Sequence, residues 1–288
     1  MVETDGPYAG YTCSNASHIH HHGEADSVYM QTKGQGDFYR ELRNRGVFIN
    51  APDGWQFQGI NKEGIGYNEN QFSLPRAEQL VITRTTLFQN TFLFPPTAGW
   101  SFVPLVPYHA GGGGASFWPP SAHLKEYELA IAMHMSYGVA ACYRGPGLYD
   151  TPAVMQMVKG WVSWFKTHRR VLTSDIIHVR RPDGQAIDGI LHADASGSAT
   201  GGSGEIAMAC FFNPATSPLN ASIALPLYYA GVAPGESVEV SRSSPQAKLV
   251  AGLRQPRTLV ASARSRVLLQ VAIEAGGFAM FLVKKKKA

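Results

Sequence analysis

The apolar positions follow two patterns that meet near residue 173. Before that point, short apolar runs alternate with longer stretches whose apolar residues recur at helical spacing. Residues 26–45 predict a helix, with Asp26 and Ser27 as caps, Val28, Phe38 and Leu42 as an apolar face and Gly46 as a stop. Residues 121–135 repeat the pattern with Leu124, Tyr127, Ile131 and Met135. Residues 152–170 do so with Val154, Val158, Trp161, Phe165 and His168, and Pro152 suits a first helical turn. Residues 1–6 read as a strand end followed by a turn, and further short strands are expected at 47–50, 79–84, 101–105 and 139–143. Alternation of this kind implies parallel strands with helical crossovers. About five strands and three clear crossover helices fall short of the eight strands of a closed barrel. Residues 1–173 are therefore expected to form part of a (β/α)8 TIM barrel, about its last five strands.

Beyond residue 173 no helical pattern intervenes. Strands are expected at 176–179, 187–192, 206–212, 222–227, 237–240, 258–261, 266–273 and 278–283, with Gly, Pro, Ser and Asn between them. That pattern describes an antiparallel β-sandwich over residues 174–288. The fold class is thus α/β plus all-β. Residues 195–204, nearly all Ser, Gly, Ala and Thr, read as a flexible hairpin insertion.

Composition narrows the function classes. With 44% apolar and 16% charged residues the chain can bury a core, which excludes wholesale disorder. The formal charge of +4 equals the four lysines of residues 284–287, so the rest of the chain is neutral and offers no electrostatic case for nucleic acid. The lysine run reads as a solvated end that protects the last strand from edge pairing. No run approaches ~18 consecutive apolar residues, so no membrane partner is expected. Cys13, Cys142 and Cys210 lie far apart, without the spacing of a zinc site or a disulfide framework. Met1 leads straight into Val2-Glu3-Thr4-Asp5 with no signal peptide, and the chain reads as starting on an active-site strand of a longer protein. Sequons at Asn15 and Asn220 would permit glycosylation.

Candidate chemistry sits on the loops of the first half. Asp5, directly before Gly6-Pro7-Tyr8, and Asp53, in Asn50-Ala51-Pro52-Asp53, each follow a strand, and carboxylates there point into a barrel mouth. Glu69 lies in the polar loop Gly66-Tyr67-Asn68-Glu69-Asn70. Three such carboxyls satisfy the parts list of glycoside hydrolysis, and aspartates before glycine are also turn formers. Trp55, Tyr67, Trp100 and Trp118 offer aromatic faces that stack on sugar rings or pack over the barrel mouth. His109 precedes the glycine run 111–114, which lacks the Lys-Ser/Thr of a phosphate loop and reads as a close backbone approach or a lid. Arg144, ending Ala140-Ala141-Cys142-Tyr143, is placed to hold a substrate hydroxyl or carboxylate, or to pair with Asp150. His18, His20, His21 and His22 read as a polar substrate-side loop, since adjacent histidines rarely converge on one ion. No metal and no cofactor are expected.

The order Glu3-Thr4-Asp5-Gly6, Phe48-Ile49-Asn50-Ala51-Pro52-Asp53, Trp100-Ser101-Phe102-Val103-Pro104-Leu105 and Tyr143-Arg144-Gly145 resembles the back half of the α-galactosidase-like clan of glycoside hydrolases. Residues 161–170 leading into Ser174-Asp175-Ile176-Ile177-His178-Val179 look like that clan's passage from barrel to sandwich, and Phe211-Phe212-Asn213-Pro214 like one of its sandwich strands. The resemblance implies a hydrolase of α-linked carbohydrate, with Asp5 at the position of the clan's nucleophile on the fourth strand. The clan's acid/base ends the sixth strand, and the corresponding residues 79–89 contain no carboxylate. Glu69 or Asp53 could take that role. The alternative is a non-catalytic carbohydrate-binding or structural remnant. Sugar, linkage, stereochemistry and oligomeric state are not legible in the sequence.

Overall fold

The computed structural model describes residues 2–3, 10–47, 49–50, 74–93, 100–107, 112–195, 204–245 and 256–286. In its first half the elements run β1 (Val2–Glu3), α1 (Glu24–Asn44), β2 (Ile49–Asn50), α2 (Arg76–Leu93) and β3 (Trp100–Pro104). They continue with α3 (Gly112–Ala115), a 3-10 turn (Pro120–His123), α4 (Leu124–Tyr137), β4 (Ala140–Arg144) and α5 (Pro152–Leu172). Thr151 caps α5 by accepting the Val154 N–H, and Pro152 sits where its missing N–H costs nothing. The helix buries Val154, Val158, Trp161, Trp164, Val171 and Leu172. Helix α4 ends at Gly138, whose φ of 68° and contact with the Leu172 carbonyl leave no room for a side chain. Helix α1 buries Tyr39 against Ile49, while Phe38, expected on the inner face, is half exposed.

Residues 79–84 are not a strand. They lie within α2, whose buried positions Leu80, Thr83, Arg84, Leu87, Phe88 and Thr91 follow a helical stripe. The continuous run Leu80-Val81-Ile82 imitates a strand because three members of the true stripe are polar. The first half therefore alternates four strands with four long helices among the described residues. β1 pairs with β2 and β3 with β4, both parallel, and the described residues form no closed barrel.

The second half consists of β5 (Asp175–Arg180), β6 (Asp188–Ala193), β7 (Glu205–Phe212), β8 (Leu219–Pro226) and β9 (Ser237–Ser243), then β10 (Arg257–Val260), β11 (Arg266–Ile273) and β12 (Phe278–Lys285). Six of them make one antiparallel sheet in the order β10-β9-β12-β7-β6-β5, and β8 pairs antiparallel with β11. β12 lies inside the sheet, between β9 and β7, so Lys284 and Lys285 do not guard an edge; they reach Glu205 and Glu236 instead.

The six-stranded sheet is covered on both faces. Met208, Cys210 and Phe212 of β7, with Ile190, Met280 and Leu282, join a core that includes Trp161, Trp164, Tyr127 and Ile131 of the helices. Ala207, Ala209 and Phe211 face the other way, toward Ile223 and Leu225 of β8 and Val267, Leu269, Val271 and Ile273 of β11. Strand β11 alternates buried and exposed positions along its whole length, as a strand with one dry face must. Polar links lock helices to sheet: Trp164 Nε1 donates to Ser243 Oγ at 2.7 Å, and His192 Nε2 lies 2.6 Å from the Ser136 carbonyl. Arg84 of α2 meets Asp188 of β6 at 3.0 Å, and both side chains are buried. No helix among the described residues is long and apolar enough to cross a membrane.

Burial raises the Asp188 carboxyl to about 7, outweighing the opposing pull of Arg84. A carboxyl raised on folding adds stability that is complete below its unfolded value of about 4 and is lost as pH rises through about 7. The stability difference between the wild type and Asp188→Asn, read from urea midpoints, should therefore shrink from pH 4 to pH 7 in favour of the variant. A difference that is constant over that interval would show the carboxyl to titrate alike in both states.

Candidate functional site

Parallel pairing sets which residues share an end of the sheet. Val2 is registered with Ile49 and Glu3 with Asn50, so the chain leaves β1 and β2 in the same direction. Asp5 follows two residues after Glu3 and Asp53 three after Asn50. Asp5, Asp53, Trp55, Tyr67, Glu69 and His109 themselves lie outside the described residues.

Of the substrate-contact candidates, Trp118 is described and packs half-buried against the core, and Trp100 and Arg144 fall at opposite ends of one parallel pair. Trp100 begins β3, opposite Ala140, rather than lying on a loop, whereas Arg144 ends β4, opposite Pro104. Four residue steps of ~3.3 Å put their backbones roughly 13 Å apart along the strands. Arg144 therefore belongs to the C-terminal strand ends and Trp100 does not. The Arg144 guanidinium stacks over the Phe102 ring, 4.8 Å from its centroid, which orients it without neutralising it. Its backbone carbonyl accepts the Leu105 N–H at 2.6 Å. Gly145 follows, and a Cβ there would stand 2.4 Å from the Leu105 Cβ and 2.5 Å from its carbonyl oxygen. Only glycine lets the two strand ends close this far. Neighbouring Tyr143 is sheltered enough that burial pushes its phenol up to about 12, so it remains a neutral hydroxyl. Asp150 accepts from the Ser121 hydroxyl and N–H. Although partial desolvation opposes it, those bonds hold the carboxyl below the usual range.

Among the described glycines of the run, Gly112, Gly113 and Gly114 have open space where a Cβ would stand, so no close backbone approach requires glycine there. Residues 112–115 form the single turn α3, and Gln79 donates to the Ala115 carbonyl while Arg76 donates to those of Gly113 and Ser116. These carbonyls are occupied by side chains of α2.

No known family model and no curated protein matches the chain. Solved structures do. A variant of the GH36 α-galactosidase AgaA from Geobacillus stearothermophilus, crystallised with stachyose, matches 92% of this chain with a TM-score of 0.57 at 15% identity. AgaB from the same organism matches 94% with a TM-score of 0.52 at 16% identity, and the galactosidase domain of the α-galactosidase–sucrose kinase AgaSK 92% with 0.54 at 14%. The fold is that of part of a GH36 α-galactosidase. The chain spans about a third of the length of these structures, 32% of AgaA and AgaSK and 33% of AgaB.

The GH36-like fold changes the reading of residues 79–89. The absence of a carboxylate there counted against an acid/base on the sixth strand, but the segment is helix α2. It therefore bears on no strand end.

The histidine loop separates into two sets. His18 and His21 turn toward each other, with Nδ1 and Nε2 at 3.1 Å, and Cys13 Sγ lies 3.4 Å from the same His18 nitrogen. His20 and His22 instead line, with His21, Lys33 and Asp37, a cleft of about 610 Å³ along α1. Cys13 is the member that sequence reading missed, because it stands five and eight residues from its partners rather than at a metal-site spacing.

Replacing Gly145 by alanine should cost about 1–3 kcal/mol by overpacking the β3–β4 ends. Thermal or urea unfolding measures it, and an unchanged midpoint would mean that the strand ends can part freely.

Proposed function

We propose that the chain is the part of a glycoside hydrolase acting on α-linked carbohydrate that supplies the nucleophile. Residues 1–173 would belong to a (β/α) barrel and residues 174–288 to the β-sandwich that follows it. Asp5 is the nucleophile, and Asp53 or Glu69 the acid/base. Arg144, with Trp55, Tyr67 and His109, contacts the sugar. The single observation that carries this reading is the parallel register of β1 and β2, the two strands after which Asp5 and Asp53 follow closely in sequence. The GH36-like fold supports it, as does the stachyose complex of an AgaA variant.

Two carboxyls suffice for the chemistry. The ionised one attacks the anomeric carbon while the protonated one gives its proton to the departing oxygen. A separation of about 5–5.5 Å gives a covalent glycosyl intermediate and retention, whereas about 6.5–9.5 Å admits a water and inverts. Arg144, always charged and braced on Phe102, suits a ring hydroxyl or carboxylate at the rim.

The experiment is hydrolysis of nitrophenyl α-galactoside and α-glucoside by the natural full-length protein, its Asp5→Asn and Asp53→Asn variants, and Arg144→Ala. Asp5→Asn should lower kcat by roughly 10³-fold or more, on the scale of removing a nucleophile that acts with its partners as a unit. Arg144→Ala should act mainly on KM. Equal rates for the wild type and Asp5→Asn overturn the assignment.

A further inference from the structure

We infer that Cys13, His18 and His21 form a binding site for a zinc-class divalent ion on the loop between β1 and α1. The three side chains bring one ligand atom each, the Cys13 Sγ and a ring nitrogen of either histidine, within 4.8 Å of one another. Tetrahedral zinc, with bonds of about 2.0–2.1 Å to nitrogen and 2.3 Å to sulfur, requires N···N near about 3.3 Å and N···S near about 3.6 Å. The observed separations are 3.1 Å for His18 Nδ1 to His21 Nε2 and 3.4 Å for Cys13 Sγ to His18 Nδ1. Two of the three separations are therefore within a few tenths of an ångström of what the ion requires, and the third, between Cys13 and His21, lies within 4.8 Å, a gap that side-chain rotation can close. One thiolate and two imidazoles select zinc or cobalt over magnesium or calcium, which prefer oxygen. Three protein ligands and an exposed His18 leave a fourth position for water.

The supporting contacts favour the ligand arrangement. His21 Nδ1 sits 3.1 Å from the Gly23 carbonyl, so it carries the proton there and leaves Nε2 with a free lone pair. The Cys13 N–H donates to Ser27 Oγ in the first turns of α1, and Gln31 Nε2 donates to the Tyr11 carbonyl. Asp26 accepts the N–H groups of His22 and Gly23, which fixes the chain beyond His21. The loop is thus held in place by α1 on both sides of the three ligands.

One contact opposes the ion. Ser17 donates from both N and Oγ to Asn15 Oδ1, so the Asn15 amide nitrogen faces His18 Nε2 at 3.0 Å. Binding at Nδ1 moves the imidazole proton to Nε2, where it meets that NH2 group. Asn15 must then turn, releasing Ser17. Asn15→Asp presents an acceptor to both Ser17 and His18, and so should tighten the site; partners of ligating histidines typically change metal affinity by about 10–100-fold.

The test is Co²⁺ titration of the full chain under reducing conditions, followed by zinc competition. One cobalt per chain should give a thiolate-to-cobalt charge-transfer band with intense tetrahedral d–d absorption, and zinc should displace it. Cys13→Ser should abolish the charge-transfer band, while His18→Ala and His21→Ala should each weaken binding by at least about 10-fold. His20→Ala and His22→Ala should bind as the wild type does. Asn15→Asp, which keeps all three ligands, should bind about 10-fold more tightly. A wild-type chain without the band, a band that survives Cys13→Ser, or an Asn15→Asp variant that binds no tighter would each overturn the site or its stated proton arrangement.

Discussion

The six-stranded sheet has two apolar faces, and most of the molecule follows from the need to cover both. Strand β7 is buried at every position from Glu205 to Phe212. Successive side chains point to opposite sides, so Met208, Cys210 and Phe212 require one apolar partner layer and Ala207, Ala209 and Phe211 another. Strands β8 and β11 supply the second. The first comes from α4 and α5, each large side chain fully buried there contributing roughly 1.5–3 kcal/mol. Helix and sheet halves therefore share a core. The polypeptide changes its pattern near residue 173, yet the interior does not change there. Strand β4 and its terminal Arg144 run between α4 and α5 in sequence, so the position of a candidate substrate contact is inherited from the packing of those helices on the sheet.

Polar groups inside that interface give it register more than strength. A buried ion pair such as Arg84–Asp188 repays little beyond its own desolvation, which is why burial still dominates the Asp188 carboxyl. Arg84 Nη2 and Asp188 Oδ1 lack hydrogen-bond partners among the described residues. Sliding α2 by one turn would leave both charges buried and apart, a far larger penalty than the pair's net contribution. Trp164 on Ser243 and His192 on Ser136 impose the same kind of condition on α5 and on the end of α4.

Those buried polar groups also explain what could and could not be read from the sequence. The strands of the second half were legible because one-sided burial writes an alternation: β11 begins and ends at the expected residues, 266 and 273. Helix α5 was legible from Pro152 and its apolar stripe, though its cap Thr151 was not. Helix α2 was not, because Thr83, Arg84 and Thr91 occupy its inward stripe and leave Leu80-Val81-Ile82 as the loudest apolar signal. In α1 the buried aromatic is Tyr39 rather than Phe38, since packing on Ile49 decides between neighbours of similar hydrophobicity. Of the candidate site, the place of Arg144 at the end of β4 was legible, that of Trp100 at the start of β3 was not, and the roles of Asp5 and the acid/base came from resemblance. The approach of Cys13 to His18 and His21 was hidden altogether. It is produced by a turn at residues 15–18 and by Asp26 gathering the His22 and Gly23 N–H groups, and such contacts leave no periodic trace.

Strand ends hold polar groups in two physically different ways here. Arg144 is fixed by backbone closeness: Gly145 lets β4 meet Leu105, and the guanidinium then has the Phe102 face beneath it. The loop after β1 has no strand partner from residue 10 onward and is fixed instead by side chains of α1 that satisfy its backbone groups at Cys13, Tyr11, His22 and Gly23. The first device tolerates almost no substitution at its glycine. The second spreads the constraint over Ser27, Gln31 and Asp26, each worth about 0.5–1.5 kcal/mol, so it yields gradually. Catalysis depends on reacting groups held to within about an ångström, and a loop tethered by a few exposed or half-buried hydrogen bonds meets that demand poorly. An ion on Cys13, His18 and His21 would supply what those bonds lack: a single strong constraint at the centre of the loop that follows Asp5.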